Sequence, residues 1–457
     1  MILNKNINFN YVFIKFLFTV QSLNDTNVQL LNIFMRDNKL TMINWAKDLF
    51  PICRSITGEG TRKTLTYFEK LNPEFKRLKF KTGQKVFDWV IPKEWNIKNA
   101  YIEHSSGTRF AEFNKCNLHI VGYSKPINRN ISKKELLNYI YTQKDQPNSI
   151  PYVTSYYKER WGFCLSENQK NKLPDGNYKV FIDSSFKKGN LDISHAILKG
   201  MTKKEIFFSS YVCHPSMANN ELSGPVLLNA IMLYIKSNYP KSKLTYRFVL
   251  LPETIGSIAY LSKFLKVMKS NIVCGFNLTC VGDERTYSYV SSRKGDTIAD
   301  YAIKTALLDL PNVKKYSFLD RSSDERQYCS PGIDLPLCAF SRSRKYPEYH
   351  TNKDNFDVVT QEGLMGSFKV MKKIVDVLEL GIYPKTTTFA EPSLSKKGLY
   401  TTLSQKGKYD DARWLRMNLI AYSDGKTNIF KIAELLNEPL DNLCKEYSIL
   451  KSKKILK

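Results

Sequence analysis

The chain has 457 residues, of which 42% are hydrophobic and 13% aromatic, and its 69 Lys and Arg against 43 Asp and Glu give a formal charge of +26. At roughly 150 residues per domain this length can bury a substantial core, which excludes a disordered chain and a small disulfide-stapled protein. The charge suits nucleic acid or an acidic surface, but most basic residues are Lys scattered along the chain, which favours a compositional bias over a binding footprint.

Cysteine usage and hydropathy predict a cytoplasmic protein. The nine Cys form no Cys-x-x-Cys pair, and most lie in apolar runs, as expected of reduced thiols. No stretch approaches the ~20 apolar residues of a membrane span, so we expect no membrane segment. Met35 and Met42 are alternative starts, and residues 1–41 are interpreted as an N-terminal extension that need not be ordered.

The chain order then predicts an α/β domain formed by residues 42–77 and 201–391. Residues 43–71 have helical spacing around a glycine break, and strands alternate with helices from residue 205. Continuous apolar strands of this kind indicate a buried, mainly parallel sheet with helices on both faces. The predicted strands are 205–212, 245–251, 272–281 and 335–340, and the predicted helices are 225–237, 258–268, 297–308 and 363–381.

Two further modules are predicted. Residues 78–200 form an inserted, mostly β domain, with strands that include 117–123 and one helix at 132–143. Residues 392–457 form three short amphipathic helices, which is typical of a winged-helix-like module. Such a module permits nucleic-acid binding without requiring it, and docking or homo-oligomer formation is an equal alternative.

Two of the five His residues follow predicted strands at the edge where an α/β site forms. His214 comes directly after strand 205–212, and His350 lies in a polar loop after strand 335–340. Glu253 follows strand 245–251 in the same way. Imidazole and carboxylate from successive strand ends are typical ligands of a hydrolytic zinc ion, although a hydrogen-bonded loop network explains them equally well.

The order of these residues resembles the superfamily of zinc aminopeptidases and glutaminyl cyclases. More narrowly, the chain is similar to an uncharacterised aminopeptidase-like family, which combines a split peptidase-type α/β domain, an inserted domain of unknown function and a C-terminal winged helix. The segments that carry the resemblance are 214, 219–224, 253–257, 324, 350–354 and, for the inserted module, 87–95 and 150–157.

The resemblance implies roles for individual residues. His214, Glu253 and His350 would bind zinc, and Asp324 and Asn220 would support the ligands. Acid–base work would fall to Glu253, Glu221 or Glu325, and the candidates for substrate binding are Arg293, Arg326 and Tyr349. Apart from the resemblance, Arg293, Arg342 and Arg344 would favour an anionic substrate if they line the cleft, although solvated loop charges explain them equally well.

Departures from the superfamily pattern limit this reading. Asn220 stands where an Asp bridges two zinc ions, Pro252 replaces the first of two paired Glu, and Ser216 replaces an Asp that normally backs the first His. The sequence therefore predicts one zinc ion and hydrolysis of a peptide or amide bond in a small peptide, amide or amino-sugar conjugate. The alternatives are a catalytically degraded peptidase fold that acts as a binding module, and a regulator that uses the winged helix.

Overall fold

A computed structural model of the chain describes residues 41–156, 158–399 and 411–457, so most of the predicted N-terminal extension lies outside the described residues. The strands are β1 (Lys76–Lys81), β2 (Lys85–Val86), β3 (Trp89–Val90), β4 (Glu94–His104), β5 (Arg109–Phe110), β6 (Ile127–Ser132), β7 (Ile140–Tyr141), β8 (Phe163–Cys164), β9 (Asn177–Lys187), β10 (Asn190–Leu198), β11 (Glu205–Tyr211), β12 (Thr245–Leu251), β13 (Ile272–Leu278), β14 (Tyr287–Val290), β15 (Val313–Tyr316) and β16 (Leu337–Ser341).

The helices divide into three groups along the chain. Two precede the first strand, two short ones lie in the insert, and the others alternate with the later strands or form the C-terminal module. They are α1 (Met42–Leu49), α2 (Glu59–Leu71), α3 (Lys133–Leu136), α4 (Glu167–Asn171), α5 (Ser223–Asn238), α6 (Ile255–Asn271), α7 (Ile298–Ala306), α8 (Glu325–Tyr328), α9 (Gln361–Leu380), α10 (Asp411–Tyr422), α11 (Ile429–Leu436) and α12 (Leu440–Ser452).

An eight-stranded mixed sheet forms the centre of the protein, in the order β1-β10-β12-β11-β13-β16-β14-β15. Strands β12, β11, β13 and β16 are neighbours and run parallel, so their carboxyl ends meet at one edge. Helices cover both faces of the sheet, so successive residues of one strand are buried in different apolar cores. Phe208 packs with α1, α5 and α9, whereas Phe207 packs with α6. The predicted fold class, a mainly parallel sheet with helices on both faces, is confirmed.

The inserted region has its own antiparallel sheet, in the order β5-β4-β9-β6, with a separate apolar core that includes Ile102, Tyr178 and Val180. The strands at its two ends, β1 and β10, belong to the central sheet instead. Two local predictions are wrong here. Residues 117–123 contain a short 3₁₀ helix, Asn117–His119, rather than a strand, and the predicted helix 132–143 reduces to α3 followed by β7. In the second segment the pairing of Ile140 and Tyr141 with β8 overrides the local helical spacing.

The C-terminal helices pack on the α/β domain and share its apolar core, to which Leu419, Phe430 and Leu443 contribute. Polar contacts reinforce the junction, since Lys373 of α9 forms an ion pair with Asp441 of α12 at 2.7 Å.

Among the residues that the structure describes, none of the helices has the length and apolar character needed to cross a membrane.

Candidate functional site

The candidate site lies at the edge where the parallel strands end. His214 follows β11, Glu253 follows β12, and the loop that carries His350 follows β16. Four non-glycine residues in this region have positive φ, namely Ser216 (41°), Thr254 (65°), Cys280 (52°) and His350 (57°). Such conformations cost about 1–3 kcal/mol each and are concentrated at functional sites, where the surrounding structure enforces them.

His214 has a different neighbour at each ring nitrogen. Its Nδ1 lies 3.0 Å from Glu221 Oε2, and its Nε2 lies 3.7 Å from Glu253 Oε2. Burial lowers the pKa of His214, but the hydrogen bond and charge of Glu221 outweigh burial and raise the pKa above its ordinary value. Glu221 therefore holds the imidazole from behind and directs Nε2 towards Glu253.

Glu221 is in turn held by Arg54, and both side chains are fully buried. Arg54 Nε lies 3.2 Å from Glu221 Oε1 and donates to the His214 carbonyl oxygen at 2.9 Å. Arg54 was not predicted to be a site residue. The only signal in the sequence is a basic residue between Cys53 and Ser55 in an otherwise apolar segment. The short π-helical turn Ala218–Leu222, which precedes α5, carries Glu221 into this position.

His350 completes an imidazole pair. The His214 and His350 ring centroids are 5.6 Å apart, close to the about 5 Å expected of two imidazoles that share an ion at 2.0–2.1 Å from each nitrogen. Tyr152 contacts both rings, and Tyr349 stacks on His350 at 3.9 Å. Burial and the charge of His214 lower the pKa of His350 to about 3, so this ring is neutral and can act as a ligand. Its buried Nε2 has no protein hydrogen-bond partner.

Asn220 is also directed towards the site. Its Nδ2 donates to the Tyr211 hydroxyl at 2.9 Å, and its backbone N–H donates to Asp354 at 2.9 Å. The amide oxygen Oδ1 is buried and lacks a protein partner. Asn220 Oδ1 and His350 Nε2 are thus left for a group other than protein, and Asp324 Oδ2 is a third buried atom at the site without a protein hydrogen-bond partner.

The remaining predicted carboxylates are bound by protein donors. Asp324 accepts hydrogen bonds from Thr254 N and Ser257 Oγ, at 2.8 and 2.7 Å. Burial and the charge of Glu253 raise the pKa of Asp324 to about 8. Glu325 accepts from the backbone of Ser322 and Ser323. Burial also raises the pKa of Glu253, so a cation placed here would relieve the cost of charging these groups.

The predicted substrate-binding residues do not all meet at this point. Tyr349 stacks on His350, and Arg326 donates to Thr254 Oγ1 at 3.1 Å, beside Glu253. Arg293 forms an ion pair with Asp334 at 2.9 Å instead. Arg342 is buried beneath the loops, where it donates to the carbonyl oxygens of Thr286 and Gly363.

The side chains proposed as metal ligands do not lie close enough to one another to bind a single ion as they stand. Across residues 41–156, 158–399 and 411–457, one group of three has ligand atoms mutually within 4.8 Å, namely Cys213, His214 and Glu221. Arg54 and His214 already bind Glu221, and burial raises the pKa of the Cys213 thiol well above its ordinary value. The predicted trio of His214, Glu253 and His350 lies outside that limit, so these side chains would have to move together to hold one ion. The donor types of His214, Glu253 and His350, and the buried His350 Nε2 that lacks a protein partner, nevertheless fit zinc.

The fold is aminopeptidase-like and is similar to that of solved aminopeptidases and peptidases. By structure the chain is similar to a zinc aminopeptidase from Bacillus subtilis, with a TM-score of 0.54, 12% identity and coverage of 73% of this chain and 92% of that one. It is also similar to a peptidase M28 precursor from Shewanella amazonensis, with a TM-score of 0.51, 12% identity and coverage of 77% and 96%. At these identities the likeness establishes the fold alone.

Nearer relatives establish the family. Residues 43–381 match the family described as a domain of unknown function, DUF4910, and residues 381–457 match a winged helix-turn-helix. A Clostridium acetobutylicum protein named for polysaccharide biosynthesis and an aminopeptidase-like domain is 38% identical, over 85% of this chain and 90% of its own length. A crystal structure named as a peptidase from the same organism has a TM-score of 0.83 and 35% identity, and covers 91% of this chain and 95% of that one. The chain belongs to the DUF4910 family, and the predicted resemblance is confirmed.

Proposed function

We propose that the protein is a metal-dependent hydrolase of a peptide or amide bond in a small substrate, with a single zinc ion held by His214, Glu253 and His350. One observation carries the proposal. The two imidazole rings lie 5.6 Å apart, His350 Nε2 is buried without a protein hydrogen-bond partner, and Glu253 Oε2 lies 3.7 Å from His214 Nε2. Bound zinc lowers the pKa of a coordinated water to about 7 and polarises a carbonyl group, which is the chemistry that amide hydrolysis needs.

The chain's own carboxylates divide the remaining tasks. Glu221 orients His214 through Nδ1, an arrangement that raises the basicity of a metal-binding imidazole. Glu325 is occupied by backbone N–H groups, which leaves Glu253 as the acceptor for the proton of the attacking water. We assign this proton transfer to Oε1 of Glu253, because Oε2 is the oxygen next to His214 Nε2. Asp324 fixes the backbone after Glu253 by accepting from Thr254 N.

The number of ions follows from residue 220. A neutral amide is a weaker zinc ligand than the carboxylate that bridges two ions in the superfamily, and Pro252 leaves a single Glu at the end of β12. The C. acetobutylicum relative is named for polysaccharide biosynthesis. Acylated amino sugars therefore belong with short peptides and simple amides among the substrates to assay.

Elemental analysis tests the metal. Full-length protein, reconstituted with zinc and dialysed, is compared with the H214A and H350A variants. H104N is the matched control, because His104 lies in the insert and bonds to Ser106 and the Asp175 carbonyl. We expect one zinc ion per chain in the wild type and in H104N, and loss of zinc in H214A and H350A. Substoichiometric zinc in the wild type would overturn the proposal.

A second candidate function is favoured by the absence of carboxylates at positions 220 and 252. If zinc binds at one ion per chain but no member of the substrate panel turns over, the site is that of a peptidase fold that binds its ligand without cleaving it. Turnover that depends on both His214 and His350 excludes this candidate.

A further inference from the structure

Most carboxylates around the imidazole pair are buried and accept hydrogen bonds or ion pairs from protein groups. Glu221 is buried against Arg54, and Asp354 accepts from the backbone of Asn219 and Asn220 and from the Tyr346 hydroxyl. Asp324 and Glu325 are almost fully buried. Only Glu253, with a side chain that is 24% exposed, reaches outwards, and the proposed function assigns it to the metal and the proton.

This matters because a substrate with a free amino group needs an anionic partner for its ammonium. Burying an ammonium without one is strongly unfavourable. Among the described residues around His214 and His350, the carboxylates that could serve are bound by protein donors or are needed for hydrolysis. The site is poorly equipped to hold a free amino terminus.

Two guanidinium groups stand beside the site instead. Arg326 donates through Nε to Ser323 O and through Nη2 to Thr254 Oγ1, the residue after Glu253. Its Nη1 donates to no protein group within the described ranges. Arg344 packs over the Tyr316 ring at 5.4 Å, on the loop after β16 that also carries His350.

Neither arginine forms an ion pair with an acid among the described residues. In the part of the chain that the structure describes, no carboxylate lies within 4 Å of the guanidinium nitrogens of Arg326 or Arg344, whereas Arg285, Arg293 and Arg416 each have such a partner. Arg326 contacts the loop that follows Glu253, and Arg344 lies on the loop after β16 that also carries His350, so a positive charge borders two of the loops that form the site.

We propose that the substrate is an N-acylated, anionic amide, which presents a carboxylate or phosphate oxyanion to Arg326, with Arg344 reinforcing the attraction, and has no free amine at the scissile bond. The inference rests on the proposed function for its reaction, but the recognition it describes is separate from the metal. Guanidinium groups suit oxyanions because their N–H donors match the spacing of carboxylate and phosphate oxygens.

Binding to the full chain tests this inference with three probes, of which the first two differ in charge at the C-terminal group and the last two differ in charge at the amino group. They are N-acetyl-L-alanine, which is anionic, N-acetyl-L-alaninamide, which is neutral, and L-alaninamide, which carries an ammonium. Calorimetric titrations are made with zinc-loaded and with chelator-treated protein, so that direct binding of carboxylate to metal is separated from recognition by arginine. Inorganic phosphate, as a fourth probe, distinguishes the two oxyanions. R326Q and R344Q are compared with R109Q, whose arginine pairs with Glu103 in the insert.

We expect the anionic probe to bind about tenfold more tightly than the neutral one in both forms of the protein, which is the worth of one charge-assisted hydrogen bond. R326Q should lose this preference, R344Q should reduce it, and R109Q should retain it. Preference for the ammonium probe, or equal binding of the anionic and neutral probes by wild type, overturns the inference. Zinc stoichiometry is measured on the same samples, so a failed preference with one zinc ion per chain leaves the proposed function intact.

Discussion

Replacing Glu221 with Gln removes the negative charge between two buried groups, the Arg54 guanidinium and the His214 imidazole. The side chains of Arg54 and Glu221 are both 0% exposed, so water cannot solvate the guanidinium after the change. Breaking a buried ion pair by removing one partner costs about 3–5 kcal/mol. Loss of the carboxylate that orients a metal-binding His costs a further 10–100-fold in metal affinity.

Two measurements separate these effects. Urea unfolding followed by tryptophan fluorescence gives the change in unfolding free energy, and competition with a zinc chelator gives the metal affinity. The matched control is E205Q, because Glu205 forms another buried pair, with Arg247 at 2.6 Å, at the opposite end of β11. We expect both variants to lose stability, whereas only E221Q should lose zinc affinity.

The R54M variant and the R54M/E221Q double variant complete the test. Once both charges are gone, no uncompensated ion remains, so the double variant should be less destabilised than the sum of the two single variants. Additive losses of stability, or unchanged zinc affinity in E221Q, would refute the assignment of Glu221 and Arg54 as a buried pair that positions His214.

Three further predictions follow from other parts of the structure. N220D restores a carboxylate where Asn220 Oδ1 is buried without a partner, so zinc stoichiometry measured by elemental analysis should rise above that of the wild type; an unchanged value would mean that residue 220 does not face the ion. Burial, reinforced by the charge of Arg247, lowers the pKa of His195 to about 4, so on acidification the unfolded chain binds a proton at this residue before the folded protein does. The contribution of neutral His195 to stability is therefore complete above about pH 6.5 and is lost as the pH falls towards 4. The H195N variant should lose less unfolding free energy than the wild type between pH 7 and pH 5. Helix α12 contains no Arg, and its exposed Lys445 lies one turn from Asp441, so we expect at most weak binding of duplex DNA at physiological salt; tight binding in a fluorescence anisotropy assay under these conditions would contradict this prediction.

The central sheet could be predicted because its strands are continuous apolar runs separated by amphipathic helices, a pattern that burial on both faces requires. Strand β14 and the edge strand β15 were not predicted, since both have only four residues and β15 is mostly exposed. The helix predicted at 132–143 failed for a related reason, because Ile140 and Tyr141 pair with β8 and this contact outweighs local helical spacing.

At the site, sequence determined which residue types follow which strands, and hence that two imidazoles and a carboxylate would lie at one edge of the sheet. Only the tertiary structure decided which atoms face each other. Arg54 and His214 are 160 positions apart, and nothing local indicates that this arginine would bind Glu221 and turn His214 Nε2 outwards. Periodicity and strand order are properties of short segments, whereas the pairing of buried charges depends on contacts that form only when distant segments pack together.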